Sequence, residues 1–252
     1  MAVSTPWGGS TMAEFAEQMN PATLSEIRRS GAATGFRHAA RVQSSWLASA
    51  EKRVLVWMAE RMPACVNSDH LTLIGLAAQI ATGLCYALAA RDRRMLFAAI
   101  VCLAVNWFGD SLDGTLARVR QLPRPRYGFY VDHIIDSIGA VAMMGGLALS
   151  GYMHPAIAIA LLVAFLLLSI QSYLATYALG EFHLSFWRLG PTELRVLLVI
   201  GNLALFRWDR VIHGRYRLFD IGGAVGLTGM IVMLIFFSLK NTVRLYQEER
   251  IG

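Results

Sequence analysis

Charge is scarce in this chain. Asp, Glu, Lys and Arg make up 16% of its 252 residues, against roughly 25% in soluble domains, and that deficit excludes an ordinary solvated globule. Cysteine is scarcer still. Cys65, Cys85 and Cys102 are odd in number and widely spaced, which excludes a disulfide framework and leaves them as small core hydrophobes. The first twenty residues contain neither Lys nor Arg nor an apolar run, so no signal peptide is expected there and the N-terminus is expected to be retained and cytosolic. There is no internal repeat, no low-complexity tract, and no basic platform with interleaved aromatics that would stack single-stranded nucleic acid.

Apolar residues are plentiful, at 56%, and they come in blocks. A membrane span needs about 20 largely apolar residues. Six blocks qualify as spans, at approximately 71–90, 95–116, 131–150, 155–179, 194–206, which is short, and 221–239. With both termini inside, sixteen Lys and Arg fall on the inner side and seven on the outer, which agrees with the positive-inside rule. The net charge of +6 then reads as topology and attraction to anionic headgroups rather than as nucleic-acid binding. The expected fold is an all-α integral membrane protein with six transmembrane helices and an N-terminal cytosolic amphipathic helix.

The chain divides into an N-terminal cytosolic segment, 1–62, and a transmembrane domain, 63–252. Residues 1–35 are Gly/Ser/Thr-rich at their start and are expected to be partly disordered, with a short helix opening at Asn20-Pro21 and ending near Gly31. From Leu47 onward, Ala50, Val54, Met58 and Met62 recur at steps of three or four, with Glu51, Lys52, Arg53, Glu60 and Arg61 between them. That pattern predicts an amphipathic helix, lying in the membrane interface or packed on the protein's own cytosolic face. Pro63 interrupts it.

Four carboxylates sit where carboxylates are expensive. Asp110 and Asp113 occur in GDSLDGTLAR, at the end of the second block, and Asp132 and Asp136 in YGFYVDHIIDS, at the start of the third. Spacings of three and four put each pair on one helical face. An Asp at mid-bilayer costs about 2.5–3.5 kcal/mol, so four without partners would cost on the order of 10 kcal/mol. Arg118 is the one nearby basic residue in helical register and cannot balance four charges. A divalent metal can, and carboxylate oxygens with no His/Cys cluster suit Mg²⁺ or Mn²⁺ rather than zinc. Magnesium is commonly held by a few carboxylates plus substrate phosphates, so the site points to a phosphate-bearing ligand. Gly114 and Ala117 leave room beside the carboxylates, Gly128 marks a close approach or tight turn, and Arg118 can reach a pyrophosphate. Helix packing would account for the small residues, and an ion pathway for the aspartates. Neither accounts for both.

The spacing Asp110, Asp113-Gly114, Ala117-Arg118, then Gly128, Asp132 and Asp136 resembles the signature of the CDP-alcohol phosphotransferases, DxxDGxxAR…GxxxDxxxD, at all eight positions. The resemblance implies a six-helix fold, a homodimer, and a cytosol-facing site with two divalent ions. It further implies transfer of a phosphate-linked group from a CDP-linked donor to an alcohol, releasing CMP, as in phospholipid biosynthesis. By position, Asp110, Asp113, Asp132 and Asp136 would be metal ligands and Asp136 also the catalytic base. Gly114, Ala117, Arg118 and Gly128 would contact the CDP moiety, and Thr72 lies where members place nucleotide-side contacts, although capping by Ser68 or Asp69 competes for that segment.

Donor and acceptor are less specified. Bacterial members of this size use CDP-diacylglycerol and a polar alcohol, which implies the bacterial cytoplasmic membrane. Arg124 and Arg126 would hold an acceptor phosphate or serve only topology. Asp132-His133 and Asp136-Ser137 resemble instead the DHxxDS form of choline and ethanolamine phosphotransferases, with His133 either near the acceptor or a packing residue. Between the fourth and fifth blocks, Glu181, His183 and Arg188, with Glu193 and Arg195 at the start of the fifth, offer further acceptor contacts or ordinary loop polarity. A divalent-cation transporter using the same carboxylates is the rival from another class, and a catalytically dead scaffold stands last.

Overall fold

The computed structural model describes residues 48–179, 190–208, 210–211 and 215–250, all within one compact unit, Arg41–Gly252. The short helix expected at Asn20-Pro21 and the polar residues Glu181, His183 and Arg188 lie outside the described residues. Seven helices are present among those described: α1 Ala48–Glu60, α2 Ser68–Ala89, α3 Met95–Val119, α4 Pro125–Leu149, α5 Pro155–Leu179, α6 Pro191–Arg207 and α7 Leu218–Glu248. Between α6 and α7, β1 (Arg210–Val211) pairs antiparallel with β2 (Tyr216–Arg217).

Five helices, α2 to α5 and α7, are long and apolar enough to cross a membrane. The expected fifth span, α6, has 17 residues, about 26 Å at 1.5 Å per residue, which is a little less than the ~30 Å hydrocarbon core.

The helix α2 is the spine of the bundle, packed against α3 and α4 along its length; α5 packs on α4 and α7, and α1 and α6 both lie against α3. Glycines set the two closest crossings. A Cβ on Gly109 of α3 would lie 2.6 Å from the Gly75 nitrogen and the Leu71 carbonyl oxygen of α2, and one on Gly146 of α4 would lie 1.9 Å from the Gly83 carbonyl oxygen. Only backbone meeting backbone permits such approaches, the small-residue logic of helix association in lipid.

Two element starts differ from the sequence reading. Proline at N1 opens α4 at Pro125, six residues before the expected block, because Pro is pre-shaped for a first helical turn. Gly128 is therefore helical and not in a turn. Asn67, rather than Ser68 or Asp69, precedes α2, its backbone N–H donating to His70 Nδ1 at 3.2 Å. The helix α3 ends at Val119, and Gln121 just beyond it takes φ 57°, the left-handed conformation that stops helices. That turn aims Arg120 at the Val66 and Pro63 carbonyls, 2.6 and 2.8 Å away.

The helix α1 lies within the segment from Leu47 to Met62; Met58 and Met62 of its apolar stripe pack inward, and Val54 does not. Leu55 and Ala59 are buried against Leu71, Leu112 and Leu116 of α2 and α3, while Val54 and Trp57 are 48% and 55% exposed. Glu51 is the cause. Its Oε1 accepts hydrogen bonds from Trp107 Nε1 of α3 at 2.9 Å and Thr192 Oγ1 of α6 at 2.6 Å, so the face carrying Glu51, Leu55 and Ala59, at i, i+4 and i+8, turns inward.

Candidate active site

The second half of α3 and the first half of α4 bring three of the four aspartates together. Asp110, Asp132 and Asp136 each offer a carboxylate oxygen within 4.8 Å of the others, and all three residues are partly buried. They line a small cleft with Thr72, Gln79 and Asn106. Asp110 lies nine residues before the end of α3, about 14 Å into the bundle, so the carboxylates occupy the floor of a recess at the end where α2, α4 and α6 begin.

Asp113 stands outside the group of three. Its Oδ2 accepts from Thr72 Oγ1 at 2.7 Å, and its backbone oxygen accepts from Ser68 Oγ at 3.0 Å. The close Gly75–Gly109 crossing allows this reach, since it brings the first turns of α2 against the last turns of α3. Thr72 thus orients a carboxylate, and Ser68 anchors the same turn.

Arg195 contributes a positive charge to the cluster. Its Nη2 donates to Asp110 Oδ2 at 2.6 Å and its Nε to Asn106 Oδ1 at 2.8 Å; Asn106 Nδ2 in turn donates to the Gly75 carbonyl at 2.9 Å. Its Nη1 is buried without a hydrogen-bond partner among the described residues. Glu193 caps its own helix, its Oε2 accepting from the Gly190 N–H at 2.9 Å.

The glycines fall into two classes. A Cβ on Gly128 would meet nothing within 4 Å, and one on Gly114 would meet only the tip of Arg118, at 3.4 Å. Neither glycine is required by helix packing, in contrast to Gly75, Gly83, Gly109 and Gly146. Ala117 follows Gly114 on α3, and Arg118 at the helix end donates to Thr115 Oγ1 at 3.0 Å.

Around the mouth, Arg124 pairs with Asp69 and lies 4.3 Å from the Tyr127 ring centroid, and Arg126 is exposed in the first turn of α4. His133 is held in a ring cluster, its centroid 4.2 Å from that of Phe129 and 4.8 Å from that of Tyr173, with Nδ1 2.6 Å from the Phe129 carbonyl. Ser137 Oγ donates to the His133 carbonyl at 2.9 Å.

Sequence reasoning passed over Asn106 and Gln79, although a lone amide inside an apolar block is a recognisable signal. A Cβ on Gly139 of α4 would fall 2.2 Å from Gln79 Oε1, so this glycine makes room for the Gln79 side chain. A donor set of carboxylate oxygens, drawn together from two helices, fits a hard divalent cation.

Fold and site together define a multi-pass, all-helical membrane protein with a carboxylate centre recessed in the bundle. The chain belongs to the CDP-alcohol phosphatidyltransferase family, whose sequence pattern it matches over residues 66–240. No curated protein matches the chain in sequence comparison. Members of this family transfer a phosphate-linked group from a CDP-alcohol to an acceptor and use divalent metal.

Proposed function

We propose that this chain transfers the phosphatidyl group of CDP-diacylglycerol to a small polar alcohol, releasing CMP, at a site facing the cytosol. The observation that carries the reading is the meeting of Asp110, Asp132 and Asp136, whose carboxylate oxygens lie within 4.8 Å of one another, beneath a mouth kept open by glycines. Asp110, Asp132 and Asp136 would hold Mg²⁺ or Mn²⁺, with Asp113, oriented by Thr72, completing a two-ion set. Bound there, the ions supply electrostatic stabilisation of charge that develops on the pyrophosphate.

The remaining steps belong to side chains. Open space at Gly128, and at Gly114 apart from the tip of Arg118, admits the CDP moiety to the backbone beside Ala117, and Arg118 meets its phosphates. A carboxylate oxygen of Asp136 takes the acceptor hydroxyl proton. The acceptor oxygen then bonds to the phosphorus bearing diacylglycerol as the P–O bond to CMP breaks, and CMP leaves with the electron pair. The unpartnered Nη1 of Arg195 favours an acceptor that carries an anionic group, with Glu193, Arg124 and Arg126 farther out.

The ring cluster and backbone bonds around His133 and Ser137 support packing roles for that pair and favour CDP-diacylglycerol chemistry over the choline/ethanolamine-type alternative. The six-span domain 63–252, with α6 as its short span, the bacterial cytoplasmic membrane and a homodimer belong to the same proposal.

Purified protein given Mg²⁺ or Mn²⁺, CDP-diacylglycerol and a panel of polar alcohols should release CMP and yield one lipid product. Silence with both CDP-diacylglycerol and CDP-amino alcohols would overturn the reading, and metal flux into liposomes without nucleotide would replace it with a transporter.

A further inference from the structure

The helix α1 precedes the segment that matches the family, which begins at residue 66, yet it touches the two elements that build the site. Glu51 Oε1 accepts from Trp107 on α3 and from Thr192 on α6. Trp107 neighbours Asn106 and lies three residues before Asp110; Thr192 lies three residues before Arg195. One helical turn further along α6, Arg195 crosses to Asn106 and Asp110 of α3. Two polar bridges therefore join α3 to α6, and one of them passes through α1.

Apolar packing adds little to the bridge through α1 at the start of α6. The residues of α6 that are fully buried are Asn202 and Leu205, in its second half; in its first half Leu194, Val196 and Leu197 are exposed, and Leu198 and Val199 are partly buried against the core. Those two partly buried side chains lie near the middle of α6, so its first turns take their position largely from hydrogen bonds, and lateral freedom there would translate into the place of Arg195. A carboxylate oxygen has lone pairs for two donors, so a single atom of Glu51 sets the spacing of both helices.

We infer that Glu51 is a positioning residue: it clamps α6 to α3 and thereby fixes Arg195 against Asp110, making α1 part of the catalytic unit. The inference rests on the proposed function for the purpose of the clamp, though not for its geometry. Supporting residues of metal ligands are typically worth 10–100-fold in metal affinity. Mn²⁺ binding to the full-length purified protein, followed by the electron paramagnetic resonance of free Mn²⁺ with no nucleotide present, reads the effect without turnover.

Glu51→Ala should weaken Mn²⁺ binding about tenfold and raise the acceptor KM more than it lowers kcat. Glu51→Gln, whose amide oxygen can still accept from both donors, should restore both. Thr192→Val, which removes one donor and keeps the volume, should reproduce much of the loss and add little to Glu51→Ala. Glu51→Ala or Thr192→Val with wild-type Mn²⁺ affinity and KM, or a Glu51→Gln as impaired as Glu51→Ala, overturns the clamp while leaving the proposed reaction standing. A wild-type chain that takes up no Mn²⁺ and releases no CMP with either Mg²⁺ or Mn²⁺ overturns both.

Discussion

The two ends of this bundle are built on opposite terms. At the end farther from the carboxylates, Tyr86, Leu96, Leu103, Leu147, Leu205 and Phe219 close into one buried cluster, Phe97 stacks on Phe206 with centroids 4.1 Å apart, and buried Asn202 donates to buried Tyr86 at 2.8 Å. At the site end the buried apolar cluster is much smaller, centred on Leu55, Leu71 and Leu112, and the helices are joined largely by polar side chains. The far end holds the helices together, while the site end spends that advantage on grouping like charges.

Substitutions should therefore separate activity from stability according to the end they strike. Asp136→Asn should give the largest effect, lowering CMP release by about 10³-fold, or ~4 kcal/mol in the barrier. Its metal-free thermal midpoint should hold or rise, because one of three crowded like charges is gone. Gly146→Ala should do the reverse, costing about 3 kcal/mol or more of stability, since its new Cβ would strike the Gly83 carbonyl and the backbones must part. Yield of folded protein in detergent reads it.

A smaller loss is expected for Tyr86→Phe. It strips Asn202 of its donor's partner and should cost about 1–3 kcal/mol, with kcat unchanged in the surviving enzyme. Gly128→Ala should be the mildest for folding. Alanine is favoured over glycine in a helix by up to about 1 kcal/mol, and there is open space to receive it. The thermal midpoint should rise slightly while the KM for the CDP-linked donor increases. A Gly128→Ala enzyme with unchanged KM would remove that glycine from the nucleotide site.

The sequence made the helices and the aspartates legible for a shared reason: both are written in short-range spacing. Steps of three and four place Asp110 with Asp113 and Asp132 with Asp136, and apolar runs mark the long helices. What stayed hidden depends on which helix faces which. The Arg195–Asp110 pair joins residues 85 apart, and no periodicity encodes it. Glycine is ambiguous for the same reason, because Gly109 and Gly114 look alike in a string, yet one presses against α2 and the other borders the mouth. Val54 of the α1 stripe faces out while Leu55 and Ala59 turn in, on the face where Glu51 bonds partners on two other helices.

The contact of Gly109 with Gly75 and Leu71 bears on a variable that the protein does not control, the thickness of its bilayer. Helices answer a thicker or thinner hydrocarbon core by tilting. Where two backbones touch, there is no side-chain layer to compress or slide, so α2 and α3 must tilt as one body and the distance from Thr72 to Asp113 travels with them unchanged. The adjustment falls instead on α7, which is sparsely buried and offers Val225, Val232, Phe236 and Leu239 outward. Membranes of differing lipid composition would thus alter the outer helix of the bundle while the carboxylates keep their spacing.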